Sequence, residues 1–206
     1  MEEKNANARL EAFCDGVFAI AITLLVIDVK IPSPENIRST AELWLALQHL
    51  TPSIVAFLLS FIVILITWVN HHANMKLVHA SSPQFIYANG LLLLTVAFVP
   101  FPTSLLGEFV LTDHAAPAVA LYSAVLALQA VGWVLVCRTA LRPPHPLTKN
   151  EKAALTVRGS LQKGYYAAVL YSVCAIAALW FPLTIVVLVG LTWVAWLIVG
   201  ITMKAA

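Results

Sequence analysis

Polar side chains lie inside the long apolar segments of this chain, and they are the first candidates for chemistry. Asp15 stands in the apolar segment that opens the chain, and His71 and His72 end another. An ionisable side chain at membrane depth costs about 2.5–3.5 kcal/mol even on a lenient insertion scale, so it normally faces protein or a water-filled path. The presence of Asp15 in an apolar helix therefore indicates that the first helix lies within a bundle.

Asp15, His71 and Asn89 are expected at matching depths near one end of three helices. A buried carboxylate, an imidazole and an amide can satisfy one another's hydrogen bonds, so we predict a structural polar network. A proton relay through the same residues stays open as an alternative. A metal site is disfavoured because the adjacent His71 and His72 project about 100° apart on a helix, which suits one ligand rather than two.

An aliphatic stripe runs along the first helix. At about 100° per residue, Ile20, Leu24 and Ile27 share one face, and Thr23 lies about 60° to one side of Ile20. Core packing is one interpretation of this stripe. The other is the lining of a pore, in which several copies of the helix form a hydrophobic constriction with Asp28 at its outer mouth.

The composition identifies the class of protein that must position these residues. Of the 206 residues, 61% are hydrophobic and only 11% are charged, whereas soluble domains average about 25% charged residues. The chain is therefore predicted to be an integral membrane protein in contact with the lipid bilayer. Its cysteines, Cys14, Cys137 and Cys174, lie in or beside apolar segments and are predicted to be free and buried.

Several function classes lack their motifs in this sequence. No Gly-rich phosphate loop, Gly-x-Ser-x-Gly elbow or workable pair of carboxylates is present, so we predict no enzyme, no cofactor and no metal. Basic residues interleaved with exposed aromatic residues are also missing, which argues against a nucleic-acid partner.

Apolar runs and prolines divide the chain into membrane spans. They predict an all-α integral membrane protein whose residues 1–206 form a single domain of six transmembrane helices, with a short amphipathic segment at about 39–49. All of the 12 Lys and Arg residues except Lys30 and Arg38 fall on one side, so both termini are predicted to be cytoplasmic. The expected spans are about 9–30, 52–72, 84–106, 117–137, 164–180 and 183–203.

The start of the first helix resembles a known family. The segment Arg9-x-x-x-Phe13-Cys14-Asp15 resembles the Arg-x-x-x-Phe-Ser-Asp signature helix of the bacterial relatives of the lysosomal potassium channel called transmembrane protein 175. The segment 68–72, Trp-Val-Asn-His-His, is similar to the end of the second helix in the same family. One residue departs from the signature, because Cys14 stands where the family has serine.

The resemblance implies a fold and a function. Members are potassium-permeable channels, and the bacterial ones are homotetramers of six-helix chains, with the first helix of each lining a central pore in the bacterial inner (plasma) membrane. The resemblance places the constriction at Ile20, further lining positions at Leu24 and Ile27, and a threonine associated with selectivity at Thr23.

The same resemblance assigns a structural role to the polar signature. It implies that Arg9, Phe13 and Asp15 hold the first helix against its neighbours, with His71 and Asn89 as partners. The function that we predict is a potassium-selective, leak-type channel with potassium ions as the permeant species. The alternative is a proton-coupled small-solute transporter that uses Asp15 and His71.

Overall fold

Long α-helices make up most of the computed structural model, which describes residues 7–27, 29–30 and 32–202. A short 3₁₀ turn, Pro34–Asn36, follows the first helix. The α-helices in chain order are α1 (Ala8–Ile27), α2 (Thr40–His49), α3 (Thr51–Met75), α4 (Pro83–Phe98), α5 (Pro100–Phe109), α6 (Ala115–Ala140), α7 (Glu151–Ala177) and α8 (Pro182–Thr202).

Four helical segments of the described chain are long and apolar enough to cross a membrane, which takes about 20 residues. They are Ala8–Ile27, Thr51–Met75, Pro83–Phe109 and Ala115–Ala140. The third of these joins α4 to α5, and the helix is interrupted at Val99 because Pro100 has no backbone N–H to continue it. The apolar part of α8 is shorter, at Pro182–Ile198.

The helix that contains most of the fifth predicted span begins before that span. The span is predicted at about 164–180, and α7 covers Glu151–Ala177. The Asn150 side chain caps the new start by accepting a hydrogen bond from the backbone N–H of Ala153 at 2.8 Å. Charged residues such as Lys152 and Arg158 are good helix formers, so the helix extends into a segment whose polarity suggested a connector.

The connectors before α4 and before α7 meet on one side of the bundle. The backbone N–H of His79 donates to the carbonyl of Leu147, and that of Lys149 donates to the carbonyl of Leu77, both at 2.9 Å. These bonds hold together two segments that the charge pattern assigns to the same side. The short amphipathic segment expected at 39–49 is confirmed as α2.

The first helix packs with one face against α3 and α4. Cys14, Phe18, Ala21 and Leu25 form this face and are almost completely buried. They lie in an apolar cluster with residues of α3, α4 and α6, including Ile64.

Since the three cysteines are free and buried, the prediction for them is confirmed.

A glycine sets the distance between α4 and α6 behind this cluster. A Cβ at Gly132 would lie only 3.0 Å from Cα of Leu92, which is closer than side chains normally approach a backbone. Small residues permit such close helix contacts in membranes. The support beneath α1 is therefore tightly packed.

Candidate functional site

The aliphatic stripe of α1 faces away from the rest of its own chain. Ile20 is 60% exposed, Leu24 is 40% exposed and Ile27 is 72% exposed, and Thr23 is exposed as well. Residues about 100–160° from Ile20 around the helix, such as Phe18, form the buried face instead. The interpretation of the stripe as core packing within the chain is therefore wrong.

Thr23 is the one hydroxyl residue between Gly16 and Ile27. Its Oγ1 donates a hydrogen bond to the carbonyl of Ile20 at 2.8 Å. The hydroxyl proton is thus directed at the backbone, and the oxygen lone pairs remain available to the exposed side. In this geometry the Thr23 hydroxyl can accept from a further partner but has no proton left to donate.

The start of α1 is fixed to the end of α3 by polar and ring contacts. The indole Nε1–H of Trp68 donates to Oδ1 of Asp15 at 2.8 Å. The Trp68 ring also stacks on His72, with centroids 5.8 Å apart and planes at 20°. Nδ1 of His72 lies 3.1 Å from Oε1 of Glu11, one turn before Asp15. Because the start of α1 contacts the end of α3, the two helices are antiparallel.

A second polar pair lies deeper in the bundle. Nε2 of His71 and Oδ1 of Asn89 are 2.8 Å apart, and both residues are buried. The Asn89 amide N–H donates to the carbonyl of Phe85 at 2.8 Å, so Oδ1 must accept and His71 must carry its proton on Nε2. The Phe18 ring of α1 contacts the imidazole, with centroids 5.4 Å apart.

The predicted network of Asp15, His71 and Asn89 is thus divided into two pairs. The structure brings His71 and Asn89 together, but it gives Asp15 a hydrogen bond from Trp68 instead. His71 and Trp68 are three residues apart, which turns their side chains about 60° apart around α3. The sequence predicted how far along each helix these groups lie, but it did not predict which neighbouring helix each side chain faces.

Arg9 and Phe13 do not pack into the core of the described chain. Arg9 is exposed and Phe13 is 61% exposed. The reason is geometric, because Phe13 lies within about 20° of the Ile20 stripe around the helix. In a single chain these two residues therefore do not hold α1 against its neighbours.

Polar residues that the sequence analysis did not assign to the site link α3 to α5 and α6 by hydrogen bonds. Ser60 Oγ bonds to Thr103 Oγ1 at 2.7 Å and to Tyr122 Oη at 3.0 Å. Nε2 of Gln129 donates to Thr67 Oγ1 at 2.7 Å. A seven-residue spacing of hydroxyl residues on one face of α3 was the signal that could have found them. Hydrogen bonds between helices stabilise membrane bundles by about 0.6 kcal/mol on average.

The far end of α1 leads into a connector that is tied to α5. Lys30 forms an ion pair with Glu108. Asp28, the predicted outer mouth, lies outside the described residues, so its position stays a prediction. The ion pair holds the chain that leaves α1 beside the end of the helix that precedes α6.

A long helix with an uncovered aliphatic stripe, anchored by polar contacts to a bundle of apolar helices, defines a multi-pass helical membrane protein. Within that class, the chain belongs to the TMEM175 family. The family model described as endosomal/lysosomal potassium channel TMEM175 matches residues 9–100. The resemblance that Arg9, Phe13 and Asp15 indicated is thereby confirmed.

Individual relatives agree with this assignment. The chain is 49% identical to a potassium channel of Chamaesiphon minutus over 123 residues, which is 60% of each chain. It is 30% identical to a potassium channel of a Chryseobacterium species over 176 residues, covering 85% of this chain and 83% of the relative. Of two bacterial relatives that it matches, the chain spans 60% and 65% of the length.

A solved structure has the same fold. The crystal structure of a lysosomal potassium-selective channel TMEM175 homolog from Chamaesiphon minutus matches with a TM-score of 0.78 and 34% identity. The match covers 92% of this chain and 96% of that one. The similarity therefore extends beyond the first helices to α6, α7 and α8.

Proposed function

We propose that this chain is a subunit of a homotetrameric, potassium-selective, leak-type channel in which α1 of each subunit lines the pore. One observation carries the proposal: Ile20, Leu24 and Ile27 face outward from a helix whose opposite face is packed and whose start is anchored. The potassium channels among the relatives support potassium ions as the permeant species.

The proposed mechanism is a hydrophobic constriction rather than a carbonyl filter. Four copies of Ile20 would form the narrowest ring, with Leu24 and Ile27 about 6 Å and 10 Å further along the axis at a rise of about 1.5 Å per residue. A ring of this kind forces an ion to shed part of its hydration shell, which penalises sodium more than potassium because sodium is more strongly hydrated. The lone pairs of Thr23 would replace part of the lost water.

The proposal assigns the remaining helices to a membrane-spanning frame. The single domain of 1–206 would have six spans, with α7 and α8 added to the four long apolar segments. Both termini would be cytoplasmic in the inner membrane, and Asp28 would lie at the outer mouth. The pairs Asp15–Trp68 and His71–Asn89 would keep α1 in place while its stripe faces the axis.

Potassium flux into liposomes tests the constriction. Ile20→Asn is expected to raise the flux and to lower the potassium-to-sodium ratio, because a polar ring wets more easily than an aliphatic one. Val26→Asn is the matched control, since Val26 is also exposed on α1 but lies about 120° from Ile20. Equal flux and selectivity in wild type and Ile20→Asn would refute the constriction.

The same preparation separates the channel from the transporter alternative. A channel gives unitary currents in a planar bilayer. A proton-coupled transporter gives a slow flux that saturates and is abolished by Asp15→Asn. The structure favours the channel, because Asp15 and His71 belong to separate hydrogen-bonded pairs rather than to one relay.

A further inference from the structure

A cluster of metal-ligating side chains lies where the start of α1 meets the end of α3. Glu11, Asp15 and His72 bring their ligand atoms within 4.8 Å of one another. Within the part of the chain that the structure describes, no other group of three His, Cys, Asp or Glu residues is this close. Two ligands come from successive turns of α1 and the third comes from the facing helix.

His72 presents a ring nitrogen to the carboxylates. Its Nδ1 is buried and lies 3.1 Å from Oε1 of Glu11, which makes an ion pair when the ring is protonated, and it forms no hydrogen bond within the described residues. When Nδ1 carries no proton, its lone pair faces the lone pairs of the carboxylate oxygens. A cation between them, either a proton or a metal ion, converts this repulsion into attraction.

Trp68 orders two of the three ligands before any ion binds. Its indole N–H holds Oδ1 of Asp15 at 2.8 Å, which leaves Oδ2 for another partner. Its ring stacks on the imidazole of His72 and restricts the rotation of that ring. Outer contacts of this kind orient metal ligands and raise the affinity of a site.

We propose that Glu11, Asp15 and His72 bind one divalent transition-metal ion of the zinc class per chain. An imidazole beside two carboxylates suits zinc, whereas calcium and magnesium prefer oxygen ligands alone. Ligand atoms around tetrahedral zinc are about 3.4 Å apart for bonds of about 2.1 Å, so small rotations of the carboxylates close the spacing. The sequence analysis disfavoured a metal because it considered histidines as ligands and did not combine His72 with the carboxylates of α1.

Direct binding tests this site without reference to ion flux, so the inference does not rest on the proposed channel. Purified, metal-free protein is titrated with Zn²⁺ by calorimetry, and Co²⁺ absorption reports the coordination geometry. We expect one Zn²⁺ per chain and affinity at least about tenfold lower in His72→Gln and in Glu11→Gln, because each removes a ligand. His79→Gln is the matched control, as His79 is exposed and outside the cluster.

Three results would overturn the proposal. The first is the absence of Zn²⁺ binding to the wild-type protein, and the second is unchanged Zn²⁺ binding in both ligand variants. The third is equal displacement of bound Co²⁺ by Ca²⁺ and by Zn²⁺, which would indicate an all-oxygen site. Unchanged gel-filtration elution and helical circular dichroism identify variants that are still folded. If His72→Gln fails this check, Glu11→Gln and the Co²⁺ spectrum decide the question.

Discussion

Replacing Asn89 with leucine should destabilise the bundle through the histidine that it leaves behind. Asn89 and His71 are buried, and among the described residues their bond of 2.8 Å is the one hydrogen bond of the His71 side chain, since its Nδ1 has no partner there. The variant would leave the whole imidazole without a hydrogen bond. Leucine branches at the same carbon as asparagine but is larger, so overpacking of this buried site adds to the loss.

The magnitude follows from the cost of an unsatisfied buried polar group. That cost is about 1–3 kcal/mol, which corresponds to roughly a 5- to 150-fold change in the unfolding equilibrium. His71→Leu should cost less than Asn89→Leu, since the Asn89 amide N–H keeps its bond to the Phe85 carbonyl. Replacing both residues removes both polar groups, so the double variant should lose less stability than the two single losses added together.

Reversible unfolding in mixed micelles measures these differences as a double-mutant cycle at fixed protein concentration. We expect the double variant to be more stable than the sum of the single effects by about 1 kcal/mol, which lies between the average of about 0.6 and the maximum of about 1.7 kcal/mol for hydrogen bonds between membrane helices. A coupling energy of zero, or wild-type stability in Asn89→Leu, would show that the pair does not support the bundle.

Two further substitutions test other parts of the frame. Trp68→Phe keeps a ring at the end of α3 but removes the donor to Asp15, and we expect a loss of about 1–2 kcal/mol of unfolding free energy for this partly exposed, charge-assisted bond. Gly132→Ala should cost about 1–3 kcal/mol by overpacking, because the new Cβ would lie 3.0 Å from Cα of Leu92. Gly90→Ala, which meets nothing within 4 Å, should instead stabilise α4 by about 0.5–1 kcal/mol.

Each of these measurements has an outcome that contradicts its reasoning. Trp44 on α2 is 64% exposed, so Trp44→Phe should change stability little; a loss equal to that of Trp68→Phe would mean that the indole donor is not the cause. Equal effects of alanine at Gly132 and Gly90 would mean that the close approach of α6 to α4 does not limit packing.

Helix positions could be predicted from the sequence wherever apolarity and helix formation end at the same residue. Pro52 in the first turn of α3 and Pro83 at the first residue of α4 mark such boundaries, and α2 lies where its amphipathic pattern predicts it. At α7 the two limits differ, because the helix begins at Glu151 in a charged segment, well before the apolar part of the sequence begins. Hydropathy reports the surroundings of a helix, whereas its length also depends on capping and backbone propensity.

The candidate site shows a similar division between what one helix specifies and what its neighbours specify. Helical arithmetic placed Ile20, Leu24 and Ile27 on one face, and the structure has them on one face. Whether that face is covered depends on which helices stand beside α1, and a single sequence does not state it. The same holds for Asp15, whose depth was predictable but whose partner Trp68 was not.

The departure at Cys14 can now be placed on one of the two faces of α1. Cys14 is completely buried in the apolar cluster beneath α1, about 120° from Ile20. A serine at this position would need a hydrogen-bond partner for its hydroxyl, whereas a thiol is stable in apolar surroundings without one. We therefore expect the exchange to affect how α1 packs on its support, while the composition of the exposed stripe is unchanged. A difference in selectivity from relatives with serine would have to come from a shift of the whole helix, not from a new group in the stripe.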